Sequence, residues 1–184
     1  MKTILITAFE PFGGRAENAS ASVLEKLPEE ICGCRVEKRL LPVVFGKAAE
    51  KALSVPADYV FLLGEAGGRG TVTPEIRGRN WREARIPDNE GNLPEAGEIL
   101  PGGPGEYRTP FGVEGICARM RAEGYRIEVS EDAGSYVCNE TFYLAGLRGK
   151  APVEFIHVPA VAEQAEEFAA AVAGFIGYCV TADN

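Results

Sequence analysis

His157 is the only histidine of the chain, so chemistry that needs an imidazole as general base must use it. It closes the apolar run Val153–Ile156 and is followed by Val158-Pro159, which ends a strand. Alone on such a run, a histidine is more often a structural residue than a catalytic one. Its partner for chemistry would come from the five cysteines, Cys32, Cys34, Cys117, Cys138 and Cys179. They show no CxxC pair and no Cys/His spacing for zinc, so no metal site is expected and free thiols in a reducing compartment are. Cys32 and Cys34 flank Gly33 and read as turn or core residues, while Cys117 and Cys179 fall inside helical patterns and read as packing. Cys138 differs. It follows the run Tyr125–Val129 through a short loop and opens a helix that begins at Asn139. A helix start offers unpaired N–H groups and the positive end of a dipole, which favour thiolate over thiol and could hold an oxyanion. A third group to orient the imidazole should be a carboxylate or amide on a strand-end loop, and Glu65 and Glu75 both qualify.

The elements that must position these groups follow from periodicity. Residues 3–8, 35–44 (interrupted at Pro42), Tyr59–Leu63, Tyr125–Val129 and Val153–Val158 read as strands. Asn18–Leu27, Gly46–Leu53, Pro110–Glu123, Asn139–Arg148 and Ala162–Cys179 read as helices. Strands alternating with helices imply βαβ units, hence an α/β fold: one three-layer α/β/α sandwich, a single domain over 1–184, around a mostly parallel mixed sheet. In such sheets ligands sit at the carboxyl ends of the strands, where Cys138, His157 and both glutamates fall. Residues 87–110 break the pattern, since ten of the 24 are Gly or Pro. They are expected to form a surface excursion, or a wall over a pocket or a subunit contact.

Composition narrows the partners. With 19 Lys+Arg against 27 Asp+Glu the formal charge is −8, which disfavours nucleic acid and anionic membranes. No apolar run approaches a membrane span, and the opening residues Met1–Phe9 read as a buried strand rather than a signal peptide. A soluble, cytoplasmic protein is expected. Arg69, Arg77, Arg79, Arg82 and Arg85 crowd one stretch of this acidic chain and read mostly as a solvated loop with local ion pairs.

Seven segments resemble the motifs of one enzyme family, in its order. They are Phe9-Glu10-Pro11-Phe12-Gly13-Gly14, Leu41-Pro42-Val43-Val44-Phe45, Ala66-Gly67-Gly68-Arg69, Thr73-Pro74-Glu75, Ala84 to Gly91, Ala133 to Asn139, and Ile156-His157-Val158-Pro159. The family is pyroglutamyl-peptidase I (pyrrolidone carboxyl peptidase), and the likeness runs from residue 3 to about 178. It implies a cysteine peptidase that removes an N-terminal pyroglutamyl residue, with Cys138 as nucleophile, His157 as base and Glu75, rather than Glu65, as the orienting carboxylate. It also implies Arg85 as active-site support for the oxyanion and Phe9 and Phe12 around the pyroglutamyl ring; Glu65 and Val137 are expected to be substrate-binding as well. A homotetramer or homodimer is implied as well, and no cofactor.

The chain departs from the family pattern at Glu65, Glu131 and Asp132, where uncharged residues are usual, at Ala8, and in the displacement of an arginine to Arg77. If Glu65 faces the pocket as a protonated acid, it could donate to the lactam carbonyl. Alternatively Glu65 and Asp132 would favour a cationic substrate, making the protein a related amidohydrolase with an altered pocket. A third reading is a non-catalytic module binding a small anion at Gly64–Gly70. Its glycines lack the spacing of a phosphate-binding loop.

Overall fold

The computed structural model describes residues 1–182. Three strands are buried almost end to end: β1 (Thr3–Phe9), β4 (Tyr59–Ala66) and β8 (Val153–Pro159). Continuous apolar runs of this kind suit the centre of a parallel sheet covered on both faces. β3 (Cys34–Leu41), with more of its side chains exposed, lies outside β1 and ends just before Pro42. The two-residue β2 (Glu30–Ile31) and β5 (Thr73–Pro74) form the edges, giving the order β2-β3-β1-β4-β8-β5. Only the two edge strands run antiparallel to their neighbours. β6 (Arg77–Arg79) and β7 (Glu106–Arg108) make a separate two-stranded ribbon.

Helices α1 (Ala19–Lys26), α3 (Val113–Ala122) and α5 (Ala165–Thr181) cover one face of the sheet. Helices α2 (Lys47–Leu53) and α4 (Val137–Arg148) cover the other. The result is the expected α/β/α sandwich. Side-chain alternation along β8 sorts its residues between the layers. Val153 and Phe155 pack with α2 and α4, whereas Ile156 and Val158 pack with α1, α3 and α5. His157 therefore belongs to the α4 side, with its ring centroid 4.8 Å from that of Phe155.

Three expectations change in detail. Tyr125–Val129 is not a strand: it meets its neighbour only at the bridges Val72–Ile127 and Glu75–Ser130, because Ile127 alone among its residues is buried. The helix expected from Pro110 starts at Val113, capped by Gly112. The helix expected from Asn139 starts at Val137, which places Cys138 second in its first turn. Of the domain expected over 1–184, residues 183 and 184 lie outside the described residues. Among those described, no helix is long and apolar enough to cross a membrane.

Residues 87–110 wrap the outside of α4. The Tyr143 hydroxyl donates to the Pro104 carbonyl at 2.6 Å, and Ile99 packs on Tyr143 and Leu144. Near its start the segment acts as a strap. Asp88 accepts the Phe45 N–H at 3.0 Å, the Asn89 N–H donates to the Val43 carbonyl at 3.0 Å, and the Asn89 amide donates to the Pro11 carbonyl at 2.9 Å. These links hold two stretches that form walls of the site.

Candidate active site

Cys138, His157 and Glu75 come from three separate elements and meet at the carboxyl edge of the sheet. Gly64 on β4 lies in register with His157 on β8. A Cβ built at Gly64 would sit 2.9 Å from the Cys138 sulfur, so the thiol occupies space that only a glycine leaves open. Cys138 and His157 line the same cavity. Glu75 follows β5, its side chain fully buried, and its Oε1 lies 2.7 Å from His157 Nδ1. That contact spans 82 residues of sequence. It commits Nδ1 to the carboxylate and leaves Nε2 as the ring nitrogen free for proton transfer.

Arg69, on the turn after β4, donates to the same Glu75 oxygen at 2.7 Å, to the Thr73 hydroxyl, and to the Asp132 carbonyl at 2.7 Å. Burial alone would push the Glu75 carboxyl up. The hydrogen bond and charge of His157, the Ser130 hydroxyl and the Arg69 guanidinium outweigh it and hold the group below the usual carboxylate range. Cys138 behaves oppositely. Burial pushes its thiol up to about 12, Glu75 and Glu65 add to the rise, and Arg69 opposes it. These dry surroundings and the two nearby carboxylates oppose the thiolate that the helix start was expected to favour.

The cavity holds about 170 Å³ and is lined by Phe9, Phe12, Asn18, Val43, Glu65, Ala133, Tyr136, Val137, Cys138 and His157. It is small beside the roughly 300–1,000 Å³ of sites that enclose drug-sized ligands. Four lining residues were not singled out as site residues in the sequence: Asn18, Val43, Ala133 and Tyr136. Tyr136 packs its ring against Phe12 and Phe45, and its hydroxyl donates to the Pro87 carbonyl at 3.0 Å. Its place just before Cys138 was the available signal. Asn18 caps α1 by accepting the Ser20 N–H at 3.0 Å and donates to the Glu10 carbonyl, so it braces the turn that carries Phe12.

One expected site residue, Arg85, lies off the cavity, and another, Glu65, lines it with its carboxylate already paired. Arg85 is exposed, makes no hydrogen bond or ion pair among the described residues, and does not line the cavity. Its neighbours Glu83 and Pro87 are tied to Ser135 and Tyr136, which leaves its side chain facing outward. Glu65 does line the cavity, but its carboxylate is ion-paired to Arg15 and accepts the Ala19 N–H at 2.7 Å. Both of its oxygens are thus already engaged by donors of the protein. Asp132 is likewise paired, with Arg79 at 2.8 Å, so neither acid stands free to attract a cationic substrate. The glycines at 67–70 form a turn not followed by a helix, and Arg69 is committed to Glu75, which removes the support for an anion-binding loop there.

A cysteine beside an imidazole whose far nitrogen is held by a buried carboxylate has the equipment of a thiol hydrolase, set here on an α/β/α sandwich. Comparison with known proteins narrows that class. The family described as pyroglutamyl peptidase matches residues 2–174. The pyrrolidone-carboxylate peptidase of Escherichia fergusonii is 41% identical over 176 residues, covering 90% of this chain and 81% of that protein. That of Thermococcus onnurineus is 39% identical, covering 88% and 86%. Among solved structures, pyroglutamyl peptidase I from Bacillus amyloliquefaciens superposes with a TM-score of 0.89 at 32% identity, covering 98% of each chain. Pyrrolidone carboxyl peptidase from Thermus thermophilus gives 0.88 at 35% identity, covering 95% of this chain and 98% of that one. This chain belongs to the pyroglutamyl peptidase family, cysteine peptidases of the pyroglutamyl-peptidase I type.

Proposed function

We propose that the chain hydrolyses the amide bond following an N-terminal pyroglutamyl residue, with Cys138 as nucleophile, His157 as base and Glu75 as its orienting carboxylate. One observation carries the reading: the 2.7 Å contact between His157 Nδ1 and Glu75, made at the same small cavity that Cys138 lines. The pyroglutamyl ring is a flat, uncharged lactam. A compact cavity walled by Phe9, Phe12, Tyr136, Val43 and Val137 suits its faces, and a few fixed polar groups suit its edge.

The Cys138 sulfur attacks the pyroglutamyl carbonyl carbon as its proton passes to His157 Nε2. The carbonyl oxygen becomes an oxyanion held by N–H groups of the first turn of α4, where losing one donor typically costs about 10²–10³ in rate. Glu75 keeps the proton on Nδ1 and balances the imidazolium that forms. Collapse breaks the C–N bond, the leaving amine takes the proton from Nε2, and a thioester remains. Water, giving a proton to the same nitrogen, adds to the thioester. The thiol leaves with that proton, and free pyroglutamate is released.

Release of a fluorescent amine from a pyroglutamyl amide tests this. Turnover by the wild type is expected, with loss on iodoacetamide treatment and in Cys138→Ser and His157→Gln. Turnover that survives both Cys138→Ser and alkylation overturns the assignment.

A further inference from the structure

We infer that Arg69 is a positioning residue for the reaction: one guanidinium holds the Glu75 carboxylate in line with His157 and ties it to the loop that delivers Cys138. The inference rests on the proposed Cys138–His157–Glu75 reading and adds a fourth member to it. Arg69 Nη1 and His157 Nδ1 converge on the same oxygen, Oε1 of Glu75, each at 2.7 Å. The other oxygen, Oε2, is buried without a hydrogen bond of ordinary length. The two shortest contacts of the carboxylate thus meet at Oε1, and with Arg69 removed the histidine it is meant to orient and the Ser130 hydroxyl would remain to fix it.

The opposite arm of the guanidinium completes the argument. Nη2 donates to the Asp132 carbonyl at 2.7 Å, in the turn where the Asp132 carboxylate accepts the Gly134 N–H at 3.0 Å. That turn leads directly into the start of α4 and Cys138. Arg69 thus joins base and nucleophile through protein groups on both sides of the site. Its positive charge also counts, because the groups facing Glu75 are few. They are His157 from β8, Cys138 from α4 and Ser130 from the preceding loop, with the charge of Glu154 on β8 also acting on it. The side chain of Arg69 is 26% exposed and that of Glu75 is 0% exposed, so the pair is sheltered and screened less than a surface bridge.

Arg69→Met and Arg69→Lys test the idea, with thermal melts to establish that each variant folds. For Arg69→Met, kcat is expected to fall about a hundredfold, the scale on which small misplacements of catalytic groups act, with little change in KM. The low-pH limb of its rate profile is expected to move to higher pH, since Glu75 loses a charge that favours its ionised form. Arg69→Lys keeps the charge but not the fork, so it should restore the limb while kcat stays below wild type. A readout independent of turnover is the rate of Cys138 alkylation by iodoacetamide, followed on its own peptide by mass spectrometry. It should fall at a given pH in Arg69→Met, because Arg69 opposes the rise of the thiol pKa. A wild type that turns over while Arg69→Met keeps its kcat, its pH limb and its alkylation rate overturns the inference alone. A wild type inert toward pyroglutamyl amides overturns the proposed activity, and the alkylation rates then decide the role of Arg69.

Discussion

Gly64 and Cys138 compete for one space. A Cβ on residue 64 would lie 2.9 Å from the cysteine sulfur and 2.7 Å from the ring of Phe155, closer than real Cβ contacts come. Phe155 is wholly buried and stands between Phe9, Phe142 and His157, so it has no room to withdraw. A methyl group there moves the sulfur, the imidazole or both.

Gly64→Ala is therefore expected to lower kcat by about a hundredfold, and overpacking of this kind costs about 1–3 kcal/mol of stability. Parallel thermal melts and steady-state kinetics would show it. A variant with wild-type kcat would mean that the sulfur does not depend on the gap.

Asn89 is a milder probe, because it is exposed and does not itself line the cavity, yet its amide holds the Pro11 carbonyl beside Phe12. Asn89→Ala leaves the backbone bond to Val43 in place and removes only that side-chain link. One hydrogen bond is worth about 1 kcal/mol, which corresponds to a rise in KM of about fivefold with kcat nearly constant. Michaelis kinetics on a pyroglutamyl amide decide it. An unchanged KM would detach the strap from substrate binding.

Glu154 concerns stability rather than turnover. It lies fully buried on β8, facing away from the site, and neither oxygen has a hydrogen bond of ordinary length. Burial holds its carboxyl well above the ordinary glutamate value, and Glu75 adds to the rise. The unfolded chain ionises this group near its ordinary pKa while the folded chain resists. Its contribution to stability is thus intact at low pH and lost as pH rises toward the folded-state pKa, by about 1.4 kcal/mol per pH unit. Glu154→Gln and Glu154→Met should melt higher than wild type at pH 7, by about 2–4 °C for each kcal/mol recovered, with the gain fading near pH 4. Equal melting temperatures at both pH values would show that the acid costs the fold nothing.

The layered fold was readable because β1, β4 and β8 are predominantly apolar and the helices carry clear periodicity. The segment 125–129 misled because its composition suits a strand, whereas pairing needs an edge partner longer than the two-residue β5. Cys138 and His157 stood out by type and by place at strand ends. Choosing Glu75 over Glu65 needed the family resemblance, since no spacing rule distinguishes the two. The different placements of Arg85 and Arg69 have a physical reason. Both are arginines in one basic stretch, and only the turn geometry after β4 aims one of them inward at Glu75. The upward push on the Cys138 thiol was hidden in the sequence as well. It depends on how deeply the sulfur sits and on carboxylates that reach it from β4 and from beyond β5.

The bond between Glu75 and His157 closes a stretch of chain 82 residues long. Contacts this distant form late when a chain collapses, after helices and local turns have appeared. No half of the polypeptide, made separately, would hold a competent centre. In a refolding experiment the return of turnover should lag the helical signal, so enzymatic output would serve as a clock for the last long-range docking of the sheet.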